Sequence, residues 1–308
     1  MRTAFLKTLE ELAAEDGRIN FLTGDLGFTV VEPFVKRFPK QFLNVGVAEQ
    51  NMTGLASGMA LTGKVVFTYS IANFPTLRCL EQIRNDACYH KANVKVVSVG
   101  GGLAYGALGS SHQATEDLAV MRALPGMTVV APGDPVETAH ATRAVAAHDG
   151  PCYLRLGKAG EPVVHDGPID FRLGRALTVR EGSDLTVISI GGMLKPCADA
   201  VAALAQEGIK VRLLSMHTLK PFDAEAVLKA VAETGGILTV EEHSAVGGLG
   251  SATAEVLARS GLRTHFRSVS LPDGFCREIG SHEHLRRFNG LTAHDIAKAV
   301  RDMCRRAN

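Results

Sequence analysis

The chain has 308 residues, 46% of them hydrophobic and 21% charged, which argues against a disordered polar chain and leaves room for two domains of ordinary size. Lysine and arginine number 33 against 32 aspartates and glutamates, for a net charge of +1, so nothing electrostatic points to nucleic acid or an anionic membrane as partner. No run is apolar for long enough to span a bilayer.

The opening stretch MRTAFLKTLEELAAEDG carries apolar residues at helical spacing, interrupted by acids. It reads as an amphipathic helix over 3–15 and not as a signal peptide. Strands follow at Ile19 to Thr23, Phe42 to Val45, Val65 to Tyr69, Val94 to Val99, Met127 to Val130 and Cys152 to Leu156. Helices are expected from Glu49, over Phe74 to His90, and over Pro135 to His148. From 158 to 183 glycine, proline and charge take over and periodicity fades, so the domain boundary belongs there, giving domains 1–170 and 171–308. A second alternating unit then runs from a strand at Asp184 to Ile190 to a closing helix at Thr292 to Met303.

Alternation of strand and helix predicts an α/β protein of two domains, each a mainly parallel sheet flanked by helices. Ligands of such sheets sit beyond the carboxyl ends of the strands. Asp25, Glu49, Tyr69 and Gly100 all fall near such ends and could share one crevice. The six cysteines are scattered with no Cys-x-x-Cys pair, which suggests reduced thiols in a cytoplasmic protein. Cys276, His282 and His284 lie close in sequence, but no second ligand set accompanies them, so no metal site is expected.

Glu49 stands at the mouth of a helix rich in small residues, in NVGVAEQNMTGLASGMAL. By letters alone an ordinary helix-start acid is the simpler reading. A buried carboxyl would need a partner or its proton. The stretch resembles the thiamine-diphosphate enzymes of the transketolase type. A second block in the right order, SHQATEDL from Ser111, then MRALPGM from Met121 and APGD from Ala131, resembles transketolases and deoxyxylulose-phosphate synthases.

The resemblance implies roles residue by residue. Glu49 matches the acid that contacts the cofactor's aminopyrimidine. His112 matches a histidine that touches substrate and assists proton transfer. Tyr69 and Phe74 occupy the family's aromatic stretch, five apart where relatives have two phenylalanines three apart; one of the two would stack on the pyrimidine. Asp25, in a Gly-x-Asp-Leu turn, matches an aspartate near cofactor and substrate, although turn formation explains it equally. Arg2, Thr29 and Lys158 match positions that hold a substrate phosphate.

Two departures stand out. The run Gly100-Gly101-Gly102 replaces a basic phosphate-binding residue, and its amides could cradle an anion; close packing is the other reading. Leu108 replaces an aspartate four residues before His112, which removes a hydroxyl partner. The chain also lacks the Gly-Asp-Gly mark of the domain that grips the diphosphate through Mg2+. The resemblance therefore implies the C-terminal subunit of a split transketolase, acting on sugars or sugar phosphates. An N-terminal transketolase subunit would hold the diphosphate and Mg2+ in an α2β2 assembly with self-dimerisation. The β subunit of a 2-oxo acid dehydrogenase, a deoxyxylulose-phosphate-synthase-like fragment and a non-catalytic regulatory partner remain as other readings.

Overall fold

The structure, a computed structural model, describes residues 1–307. Strands β1 (Ile19–Thr23), β2 (Phe42–Asn44), β3 (Val65–Ile71), β4 (Val94–Val99), β5 (Thr128–Val130) and β6 (Cys152–Leu156) come first. They are followed by β7 (Leu177–Arg180), β8 (Leu185–Ser189), β9 (Val211–Ser215), β10 (Thr218–Lys220), β11 (Gly236–Ser244) and β12 (His265–Leu271). They form two sheets, one ordered β10-β5-β6-β4-β3-β1-β2 and the other β12-β11-β8-β9-β7. Every pairing is parallel except β10 on β5 and β7 on β9. The expected two-domain α/β architecture is therefore the one found.

Parallel strands covered on both faces bury every residue, and their sequences are mostly apolar runs, although β11 ends in the buried Glu241-Glu242-His243-Ser244. β1, β4, β6, β8, β9 and β11 are buried end to end. Lys95 sits in such a run because its ammonium is held by hydrogen bonds, to the carbonyls of His148 at 2.7 Å and Gly150 at 2.6 Å. Helix Arg2–Glu15 packs with helix Pro135–Ala147, and Glu49–Leu61 packs on β3. Phe5, Phe21, Phe34, Phe67 and Tyr69 belong to one core cluster.

The helix expected over Phe74 to His90 is remodelled. It begins as a tight turn at Leu77–Cys79, passes through Leu80–Gln82, and widens into a π-helical segment at Ile83–Tyr89. Ala72, at a φ of 43°, and the following Asn73–Thr76 are spent turning the chain. Helix Asp117–Ala123 and the short strands β7 and β10 were not legible in the sequence. A strand of three residues such as β10 carries too little alternation to be seen.

The segment between the sheets crosses the first domain and is fastened there. Asp134 Oδ2 accepts from the amides of Val164 (2.8 Å) and His165 (3.1 Å), and the His165 ring meets Glu137 Oε1 at 2.8 Å. A second tie joins the domains directly. Glu242 on β11 accepts from the Leu103 amide at 2.6 Å and from His282 at 2.8 Å, and Arg286 also binds it. Burial would raise the Glu242 carboxyl, but Arg286 and His282 outweigh it and hold the group well below the usual carboxylate range.

Candidate active site

The carboxyl ends of β1, β3 and β4 lie side by side in the first sheet. Glu49 opens its helix beside them and is only 2% exposed. Its Oε2 accepts from Arg78 Nη1 at 2.9 Å, and Ser70 Oγ lies 3.5 Å from Oε1, the far limit of a hydrogen bond. The Arg78 side chain is 46% exposed while that of Glu49 is 2% exposed, so solvent screens the cation but does not reach the acid. Gly24 lies against the acid: a Cβ there would stand 3.4 Å from Glu49 Cγ.

A row of contacts leads away from Glu49. The Arg78 guanidinium lies 4.5 Å from the Phe74 ring centre. Phe74 meets the His112 ring edge-on at 5.1 Å, and His112 is 6.5 Å from the Tyr105 ring. Lys158 Nζ sits 4.8 Å over Tyr105. The Asn73 amide bonds the Gln113 carbonyl, tying the two loops that carry Phe74 and His112. Arg2 is half-buried, and its Nε has no hydrogen-bond partner among the described residues. Tyr105, Leu108, Arg155, Lys158, Lys195 and His282 help line an interdomain cleft of about 980 Å³.

The structure corrects the choice between the two aromatics. Tyr69 is 1% exposed, stacked on Phe5 at 6.1 Å and edge-on to Phe21 at 5.7 Å. Strand side chains alternate, so Tyr69 shares the Phe67 face under helix Arg2–Glu15, while Ser70 faces Glu49. With no free face, Tyr69 cannot stack on a ligand; burial also pushes its hydroxyl far up. Phe74 is half-buried and keeps its place in the row.

Asp25 and Thr29 are not joined to the row. Both lie exposed on the loop after β1, in left-handed conformations with φ of 55° and 68°. Asp25 exchanges hydrogen bonds with Asn44 at 2.9 and 3.0 Å, and the Thr29 amide donates to Glu32 at 2.7 Å.

The anion-cradle reading of the glycine run is overturned. The amides of Gly100 and Gly101 go to the Leu156 carbonyl, at 2.9 and 3.0 Å, and that of Gly102 to Ala114 at 2.8 Å. Each Cα is pressed by a different neighbour: Tyr105 on Gly100, Arg155 on Gly101, Glu242 on Gly102. Close packing explains all three glycines. Near the C-terminus, His284 pairs with Glu278 at 2.8 Å and His282 with Glu242. Among the described residues no three His, Cys, Asp or Glu side chains are grouped to hold a metal.

Arg78 is the site residue that sequence reasoning missed. Its partner is 29 positions away, beyond any helical or strand spacing. The one available signal was that a buried Glu49 demands a cation.

Residues 1–160 match the pyrimidine-binding domain of transketolase, and residues 174–296 match the transketolase C-terminal domain. The chain belongs to the transketolase family. One transketolase relative is a subunit of the apulose-4-phosphate transketolase of Phocaeicola vulgatus, 38% identical, with 97% of this chain and 96% of the relative aligned. Another is a 6-deoxy-6-sulfo-D-fructose transketolase subunit of Clostridium sp., 38% identical over 100% of this chain and 95% of the relative. A solved split-gene transketolase, described as an inactive beta4 tetramer, superposes with a TM-score of 0.91 at 39% identity, covering 99% and 98% of the two chains. Transketolases depend on thiamine diphosphate. The residues present fit its aminopyrimidine end: a buried carboxylate, Glu49, and a half-buried flat ring, Phe74, both meet the one Arg78 guanidinium.

Proposed function

We propose that this chain is the C-terminal subunit of a two-subunit transketolase that moves a two-carbon ketol unit between sugar or sugar-phosphate substrates. The observation that carries this reading is the buried Glu49 carboxylate at the head of the row Arg78–Phe74–His112. Bound thiamine diphosphate would supply the nucleophilic carbon that takes up the two-carbon unit. Glu49 would share a proton with the pyrimidine nitrogen, and Phe74 would support the ring. His112, half-buried and with its ring bonded among the described residues only to Ser111 Oγ at 3.0 Å, would move protons at substrate hydroxyls.

Lys158, over the Tyr105 ring, and Arg2 would hold an anionic substrate tail. The two relatives above are named for substrates that carry phosphate or sulfonate, which supports such a tail. Leu108, 54% exposed at the cleft, offers no hydrogen bond there, which favours a substrate pair other than the standard pentose phosphates. Asp25 and Thr29 would contribute only after their loop rearranges around cofactor and substrate.

The diphosphate and Mg2+ would be held by an N-terminal partner subunit. Phe28, Leu43, Val47, Leu55 and Leu61 are exposed, and Gly54 and Gly58 face open space. These exposed apolar side chains, on and around the helix that Glu49 opens, suit coverage by another subunit in an α2β2 assembly. We also place the domain division at residue 170, within the segment that lacks strand and helix. No helix is long and apolar enough to cross a membrane among the described residues. All six cysteines are free, which suits the cytoplasm.

The test is reconstitution with an N-terminal subunit and assay of ketol transfer. Activity should require both chains, and Glu49→Gln should lower kcat by at least about 10²-fold. Full activity from this chain alone, or from the Gln variant, overturns the proposal.

A further inference from the structure

We propose that Arg78 is a place-holder for the aminopyrimidine, occupying both of its contacts until the cofactor enters. This inference rests on the assignment of Glu49 and Phe74 to the cofactor's ring. A guanidinium is flat, delocalised and cationic; it stacks on aromatic faces and donates to carboxylates. Arg78 does both at once, 4.5 Å from the Phe74 ring centre and 2.9 Å from Glu49 Oε2. An aminopyrimidine lying on Phe74 with a ring nitrogen at Glu49 needs the same face and the same acid. Ring and guanidinium cannot both be seated there.

The rest of the environment suits a group that comes and goes. Arg78 forms no other side-chain hydrogen bond or ion pair among the described residues. Its side chain is 46% exposed while that of Glu49 is 2% exposed, so the arginine can swing into water and the acid cannot. In the free subunit the pairing spares Glu49 from being an unmatched charge in an apolar place. On cofactor entry the ring takes over that duty and Arg78 is released. Arg78 is thus a positioning residue that keeps the lone subunit's acid neutralised and dormant, and the cofactor's apparent affinity is reduced by the fraction of subunits in the latched form.

Arg78→Ala and Arg78→Lys in the full chain, assembled with the N-terminal subunit, test this. Thiamine diphosphate itself is the probe, its Kd read by calorimetry and the free chain's Tm by scanning fluorimetry. Arg78→Ala should lower the Tm of the free chain and tighten cofactor binding roughly twofold to tenfold. Arg78→Lys, which keeps the charge but cannot lie flat on Phe74, should recover part of the Tm and fall between in Kd. Weaker or unchanged cofactor binding in Arg78→Ala overturns the place-holder role. Glu49→Gln separates the two levels. If it binds cofactor and turns over like wild type, both the site assignment and this inference fall. If it loses cofactor while Arg78→Ala binds no tighter, only the inference falls.

Discussion

Tyr69 and Phe74 are five positions apart, yet one is walled into the core and the other is half-buried against Arg78 and His112. The difference is one of strand parity: Tyr69 lies within β3 on the Phe67 side, and Phe74 lies past the strand where Ala72 has already turned the backbone. Two substitutions should separate them. Tyr69→Phe keeps the packed ring and should leave the cofactor's Kd unchanged within about twofold, since nothing the ligand touches is altered. Phe74→Ala removes the half-buried aromatic face under Arg78 and should weaken cofactor binding by about 1 kcal/mol, roughly fivefold. Calorimetric titration of the reconstituted enzyme reads both, and the reverse ranking would return Tyr69 to the site. The family resemblance could nominate the two aromatics but not choose between them, because the choice depends on where β3 ends.

The loop after β4 shows why some of the site could not be read from letters. Three successive glycines suggest an anion cradle, but each is small to admit a neighbour from elsewhere. Arg155 presses on Gly101 from β6, and Glu242 presses on Gly102 from β11 of the other domain. Contacts between residues so far apart in the chain leave no local pattern. Gly102→Ala is expected to destabilise the protein by about 1–3 kcal/mol through overpacking, with a further cost of about 1–2 kcal/mol because its φ is 66°. Urea unfolding measures the loss; a variant as stable as wild type would show that Glu242 can give way. By contrast most parallel strands were legible almost to their ends, since burial on both faces favours continuous apolar runs; β11 is the exception, its last four residues, Glu241 to Ser244, being buried but polar. The three-residue β10 and the π-helical turn before Tyr89 obey no such rule, and Arg78, placed by that remodelled helix, went unseen with them.

At the level of the whole molecule, the crossing segment between the sheets is held by a titratable clasp. The hydrogen bond to Glu137 raises the His165 ring above its ordinary value, and partial burial opposes it only in part. A base whose folded value is raised contributes stability that is fully present below the unfolded value, about 6.5, and is lost as pH climbs through the folded one. The Tm gap between wild type and His165→Gln should therefore be widest near about pH 6 and shrink toward alkaline pH. A gap that widens with rising pH would contradict the clasp. β10 carries a different kind of bond between the halves. It comes from the later part of the chain, yet it pairs antiparallel with β5 and closes the border of the earlier sheet. A fragment cut near residue 170 would end with β5 bare, its row of amides and carbonyls open to any passing strand. The second half thus lodges a strand in the first, and self-association is the expected penalty for separating them.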